Sequence, residues 1–124
     1  MAVAVVIAIG VFFLGMGVYA LTAPSALVRP FGVSLTGSTA RSEVRAVYGG
    51  FGVAMAAMLA VAATDISGHR LIIVTIAVAL GGMAVGRLIS AVIDSRTAFY
   101  PNWFYCLVEL IAAGALYWTT VSAG

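Results

Sequence analysis

Four long apolar runs, separated by short polar stretches, cover most of the chain. They lie at about residues 2–23, 44–63, 71–93 and 103–121, and each is long enough to cross roughly 30 Å of hydrocarbon as a helix. Each run also exceeds the roughly ten residues of a barrel strand and lacks sustained alternation of apolar and polar positions. The pattern therefore predicts one all-α domain over residues 1–124, folded as an up-and-down four-helix bundle in a membrane.

The polar connections predict how the four spans follow one another. The first connection, residues 24–42, carries two prolines with Ser, Thr and Gly, which favours a short interfacial helix around residues 25–28 and then a turn. The second, "TDISGHR", is short, so the second and third helices should be antiparallel neighbours. The third, "DSRTAFYPNW", ends in aromatic residues that suit the headgroup level of a bilayer.

Composition agrees with a membrane protein and argues against several other classes. Hydrophobic residues make up 64% of the chain and charged residues 8%, which leaves too few polar groups to cover a soluble domain. The chain has no basic run of the kind that nucleic-acid binding needs, so nucleic acid is not an expected partner. Cys106 is the single cysteine and His69 the single histidine, so we expect no intrachain disulfide, no metal site and no cofactor.

The arginines are distributed unevenly between the two ends of the predicted bundle. The first and third connections, with the adjoining helix ends, hold most of them, namely Arg29, Arg41, Arg45, Arg87 and Arg96, against Arg70 at the opposite end. The positive-inside rule then predicts that both termini lie outside the cytoplasm. The expected location is the cell inner membrane, with the chain as an integral multi-pass protein. The first run has no Lys or Arg before its apolar stretch, which favours a retained span over a signal peptide.

Charged residues on three spans share one predicted depth in the membrane. Arg87 precedes the end of the third span, and Glu109 follows the start of the fourth, by about six residues, or roughly 9 Å. Arg45 opens the second span on the same side. Because a charge that faces lipid is costly, these groups should meet inside the bundle, where Arg45 would find acidic partners. Helical spacing predicts a polar cluster of Arg45, Tyr48, Arg87, Asp94, Asn102, Tyr105 and Glu109.

Two interpretations of this cluster carry similar weight. In the first, the charges only fix the packing of the helices, since buried ion pairs are weak evidence of net stability. In the second, the cluster borders a pocket open to the cytoplasmic interface, where arginines hold an anionic or carbonyl group of an amphiphile. A proton or ion pathway is a third and weaker interpretation.

Glycines recur inside the predicted helices rather than between a strand and a helix, which argues against a phosphate-binding loop. We expect them to let helix backbones approach closely, and intramolecular packing is favoured over dimerisation. The predicted packing positions are Gly49, Gly50, Gly52, Gly82 and Gly86.

Three stretches, "RAVYGGFGVAMA", "GMAVGRLISAVID" and "WFYCLVELIAAGAL", are similar to a family of small bacterial four-span membrane proteins of unknown function. The family pattern opens the second helix with Arg-x-x-Tyr-Gly-Gly, closes the third with Gly-Arg and a downstream Asp, and has a Glu in the fourth. These positions correspond here to Arg45, Tyr48, Gly49, Gly50, Gly86, Arg87, Asp94 and Glu109. The similarity covers nearly the whole chain and implies the fold, but no activity. More distantly, the architecture resembles the DoxX-like four-helix membrane proteins.

The leading functional hypothesis is a non-enzymatic membrane protein. It would contact membrane lipids and either bind a lipophilic or amphiphilic small molecule or act as an accessory subunit of a membrane complex, with a membrane-protein partner or a second copy of itself. The polar cluster would be its binding or structural centre. The alternative is a small membrane enzyme that acts on a lipid or isoprenoid-like substrate, with Glu109 or Asp94 as acid or base and no catalytic metal.

Overall fold

The computed structural model describes residues 1–122; the last two residues of the predicted domain, 123 and 124, lie outside the described part. Regular secondary structure in residues 1–122 is helical throughout. The helices are α1 (Ala2–Thr22), α2 (Pro24–Val28), α3 (Ser38–Ala63), α4 (Arg70–Ile93) and α5 (Phe104–Ser122). A wide helical turn, Phe99–Trp103, leads into α5. The four long helices are long and apolar enough to cross a membrane, which confirms the predicted all-α bundle.

The first connection contains the short helix that its prolines indicated. Pro24 occupies the first turn of α2, where a missing N–H costs nothing. A 3-10 turn, Arg29–Phe31, follows and ends at Gly32, whose φ of 75° is in the left-handed region that glycine adopts readily. This geometry brings Phe31 back towards the bundle.

Helix α3 differs from the sequence prediction in its start and in its winding. It begins at Ser38, not at about residue 44. The predicted start was the first residue of the apolar run, but the polar residues before that run also form helical turns. A π-helical turn, Arg45–Gly50, is inserted before the apolar part. Because this turn is wider than an α-helical turn, the side chains after it no longer share a face with those before it at three- and four-residue spacing.

Helices α1 and α3 pack closely through glycines. A methyl group added at Gly17 would lie 2.8 Å from the carbonyl oxygen of Gly49 and 2.8 Å from the backbone nitrogen of Val53. One added at Gly52 would lie 3.0 Å from the carbonyl oxygen of Phe13. Only hydrogen fits at these positions, so the glycines allow the two backbones to touch.

Other predicted packing glycines do not lie between helices. An added methyl group at Gly82 or Gly86 would meet no atom within 4 Å, and at Gly50 it would meet only the Arg45 carbonyl oxygen, at 3.8 Å. The expectation that these three bring helix backbones together within the chain is therefore wrong. The sequence spacing put Gly82 and Gly86 on one face, but the rotation of α4 turns that face outward.

Helices α4 and α5 form the second closely packed pair, and an apolar core joins it to α1 and α3. Ile73 and Leu80 of α4, Leu116 of α5 and Leu59 of α3 belong to this core and are all buried. Helix α1 also contacts α5, and α3 contacts α4 less extensively. The bundle thus consists of two tight pairs, α1 with α3 and α4 with α5, that meet along a seam.

Candidate functional site

Arg87 and Glu109 form an ion pair that connects α4 and α5. The Arg87 Nε donates to Glu109 Oε1 at 2.8 Å, and Nη2 donates to Oε2 at 3.2 Å, so the pair is bidentate. The side chain of Glu109 is only 6% exposed and that of Arg87 23% exposed. Charged, two-bond pairs of this kind are the strong class of hydrogen bond. It is the one salt bridge among residues 1–122.

Asn102 supports the arginine from the turn that precedes α5. Its Oδ1 accepts a hydrogen bond of 3.1 Å from Arg87 Nη1. Tyr100, two residues earlier and just before Pro101, has an extended backbone, as expected for a residue that precedes proline. The break at Tyr100 and the wide turn after it place the Asn102 amide over the guanidinium.

Two aromatic rings flank the same guanidinium. Arg87 Cζ lies 5.6 Å from the centroid of the Phe31 ring and 5.9 Å from that of Tyr105, both within the range of cation–π attraction. The two rings are themselves 5.5 Å apart. Phe31 comes from the first connection, so this segment contacts the ion-pair region directly. The predicted polar cluster does not include Phe31, which the sequence places instead, as an apolar interfacial residue beside Pro30, near the expected mouth of a pocket on this side of the bundle.

A cavity of about 520 Å³ lies at the seam between the two helix pairs. Its walls are mostly apolar and come from α1, α4 and α5, with the first connection and Tyr48 of α3 at one end. Arg87, Glu109 and Tyr105 lie at that same end. Ile9 of α1 and Leu80 of α4 line the part farthest along the helices from them. The cavity is therefore polar at one end and apolar at the other.

Arg45 does not take part in the ion pair. Its Nε donates to the backbone carbonyl of Leu21, at 3.0 Å, in an exposed position. This carbonyl belongs to the last turn of α1, where backbone acceptors lack partners within the helix and a cation is favoured by the helix dipole. The expectation that Arg45 has an acidic partner is wrong, because an unpaired helix end lies closer to its side chain.

Asp94 also lies apart from the ion pair. Its Oδ1 accepts a hydrogen bond from the backbone N–H of Ser95, at 2.8 Å, in the turn after α4. It lines a second cavity, of about 690 Å³, together with Arg96 and Asn102. Asn102 thus lies between this polar cavity and the ion pair. Of the predicted cluster, the structure gathers Arg87, Asn102, Tyr105 and Glu109, with Tyr48 at the edge of the apolar cavity.

The lone cysteine and histidine take local roles. Cys106 is buried, with its Sγ 3.9 Å from the carbonyl oxygen of Ala84. His69 Nδ1 lies 2.9 Å from the carbonyl oxygen of Asp65 in the second connection. Residues 1–122 contain no group of three or more His, Cys, Asp and Glu side chains that could hold a metal ion.

Four apolar spans around a mostly buried ion pair define a small multi-pass α-helical membrane protein. The family model that matches it, over residues 1–120, is described as a domain of unknown function, DUF4345. The chain belongs to this family, which confirms the resemblance to a four-span family of unknown function. Comparison with curated proteins and with solved structures finds no match, so the DoxX-like architecture stays a prediction.

Proposed function

We propose that this protein binds one lipophilic or amphiphilic small molecule in the cavity at the seam between its helix pairs. The observation that carries the proposal is the volume and lining of that cavity: about 520 Å³, mostly apolar, with the Arg87–Glu109 pair at one end. Its volume falls within the roughly 300–1,000 Å³ of known small-molecule sites, which combine apolar walls with a few polar groups. An ion pair that only locked two helices would need no cavity beside it.

The position of the cavity in the bundle supports an amphiphile. Arg87 and Glu109 lie near the ends of their helices on the side of the first and third connections, and Ile9 lies near the middle of α1. A ligand with its polar end at the ion pair would extend its apolar part towards the bilayer centre, as membrane amphiphiles do. With the orientation that the arginine count predicts, the polar end faces the cytoplasmic leaflet of the inner membrane.

The enzymatic alternative has less support from the geometry. Both oxygens of Glu109 accept hydrogen bonds from Arg87, so the carboxylate is already engaged by the arginine rather than available to a substrate as an acid or base. The Asp94 carboxylate accepts a hydrogen bond from the backbone N–H of Ser95, in the turn after α4. For the role of an accessory subunit, residues 1–122 offer no comparable feature in support.

Native mass spectrometry from a mild detergent tests the proposal. Gly15 lines the cavity, and a methyl group added there meets no atom within 4 Å, so Gly15→Leu should occupy space beside the cavity wall without disturbing the fold. Gly114 is equally open but lies outside both cavities, so Gly114→Leu is the matched control. We expect the parent and Gly114→Leu to retain a small lipophile and Gly15→Leu to lose it.

Two results would contradict the proposal. The first is a folded, monodisperse parent that carries no small molecule. The second is the same bound material in all three proteins. A stoichiometric protein partner in place of a small molecule would support the accessory-subunit alternative instead.

A further inference from the structure

We infer that the head group accepted by this cavity is uncharged and carries a hydroxyl or carbonyl oxygen, so that anionic amphiphiles are disfavoured. The inference rests on the proposed binding function and assigns the chemical class of its ligand. It narrows the expectation, drawn from the arginines alone, that the cavity holds an anionic or carbonyl group of an amphiphile.

The charge of the lining carries the argument. Arg87 is the only basic residue and Glu109 the only acidic residue among those that line the cavity, and their formal charges cancel. Arg87 is already bonded to the carboxylate through two nitrogens. An anionic head group would have to displace Glu109, leaving a carboxylate without its partner in a buried position, or lie beside it and be repelled.

Hydrogen-bonding capacity remains for a neutral head group. Three N–H groups of the guanidinium are used, by Glu109 and Asn102, and a guanidinium carries more than three. Tyr48 also lines this part of the cavity, and a tyrosine hydroxyl both donates and accepts. These groups match the oxygen of an alcohol, ester or ketone, which needs donors but brings no charge to compensate.

The length of the cavity indicates a single apolar chain attached to that head group. Lining residues of α1 extend from Ile9 to Tyr19, which corresponds to about 15 Å along the helix axis. The apolar stretch lies on one side of the ion pair, and Phe31 of the first connection lies beside the guanidinium at the same end as the pair. The head group would therefore stop at Arg87, with the chain directed along α1.

A competition between two probes with the same tail tests the inference. Oleyl alcohol is neutral and oleyl sulfate is anionic, so delipidated protein is offered both at equal concentration and the bound ratio is read by native mass spectrometry. We expect the parent to prefer the alcohol by about tenfold or more. In Glu109→Gln, which leaves the Arg87 charge uncompensated, the ratio should shift towards the sulfate by about tenfold or more.

Asp94→Asn is the control, because it removes one negative charge from the same end of the bundle but outside this cavity, and should leave the ratio unchanged. Preference of the parent for the sulfate, or equal retention of both probes, would overturn the inference even if Glu109→Gln did not fold. If Gly15→Leu still abolished retention in that case, cavity binding would stand without the head-group class. If the parent retained neither probe, the proposed function itself would fail.

Discussion

The ion pair between Arg87 and Glu109 should show strong energetic coupling when its members are replaced one at a time and together. Methionine is a suitable replacement for both, since it is apolar, flexible and of similar length. The three variants are Arg87→Met, Glu109→Met and the double variant. A single replacement leaves one charge without its partner, whereas the double replacement removes both charges at once.

The expected losses of unfolding free energy follow from burial. Arg87→Met leaves Glu109 without its partner on a side chain that is only 6% exposed, and should cost roughly 3–5 kcal/mol. Glu109→Met leaves an arginine whose side chain is 23% exposed and still bonded to Asn102, so its cost should be smaller, about 1–3 kcal/mol. The double variant should lie within about 2 kcal/mol of the parent. The coupling energy is then roughly 2 kcal/mol or more.

Reversible unfolding in mixed detergent micelles, followed by circular dichroism, gives these free energies. Arg45→Met is the control, because it makes the same substitution at an arginine whose hydrogen bond goes to the Leu21 carbonyl. It should cost about 1 kcal/mol, as an exposed hydrogen bond does. When Arg45→Met is combined with Glu109→Met, the two losses of unfolding free energy should add to within about 0.5 kcal/mol.

Additive losses for Arg87→Met and Glu109→Met would refute the reasoning, since independent sites show no coupling. Strong coupling of Arg45 to Glu109 would refute it in another way, because it would restore the acidic partner that the structure does not give Arg45.

Three further predictions use other parts of the bundle. Gly17→Ala should destabilise by about 1–3 kcal/mol, because the new methyl group meets the backbone of α3, whereas Gly82→Ala should be neutral or stabilise by up to about 1 kcal/mol; thermal melts in detergent compare the two. Phe31→Ala should speed the exchange of bound lipophile in a chase experiment, since Phe31 lines the cavity beside Arg87, and Phe99→Ala, exposed and outside both cavities, should not. A reporter fused to the C terminus should be active only if it functions outside the cytoplasm; activity of a cytoplasm-dependent reporter would reverse the orientation.

Depth in the membrane could be read from the sequence, and this is why the Arg87–Glu109 contact was predictable. Each residue lies about six positions from the end of its helix on the same side of the membrane, and the two helices are consecutive. The rise per residue then fixes their depth in the membrane, however the helices rotate about their axes. With the charges at one level, the cost of facing lipid leaves the interior as the remaining place. The structure joins them at 2.8 Å.

Rotation and local competition could not be read in the same way. The same depth argument predicted that Arg45 joins the charges inside the bundle. Instead, a π-helical turn begins at this residue, and its side chain donates a hydrogen bond to a carbonyl in the last turn of α1. Nothing in the sequence marks that carbonyl as free. The spacing of Gly82 and Gly86 is likewise correct for close packing, but spacing alone does not say which face of α4 is covered.

The two kinds of contact that hold each helix pair together, glycine packing and an ion pair, also explain where the cavity lies. Glycine contacts let the backbones of α1 and α3 touch. The Arg87–Glu109 ion pair, together with the hydrogen bond from Arg87 to Asn102, joins α4 to the start of α5. Neither kind crosses the seam between the pairs, where contact depends on side chains of differing length. Large side chains such as Phe13 fill part of that seam, while Gly15, one turn from the polar end of the cavity, leaves part of it open. Binding at the seam would therefore add contacts between pairs that are already stable within themselves, so a bound lipophile should raise the stability of the whole bundle more than that of either pair.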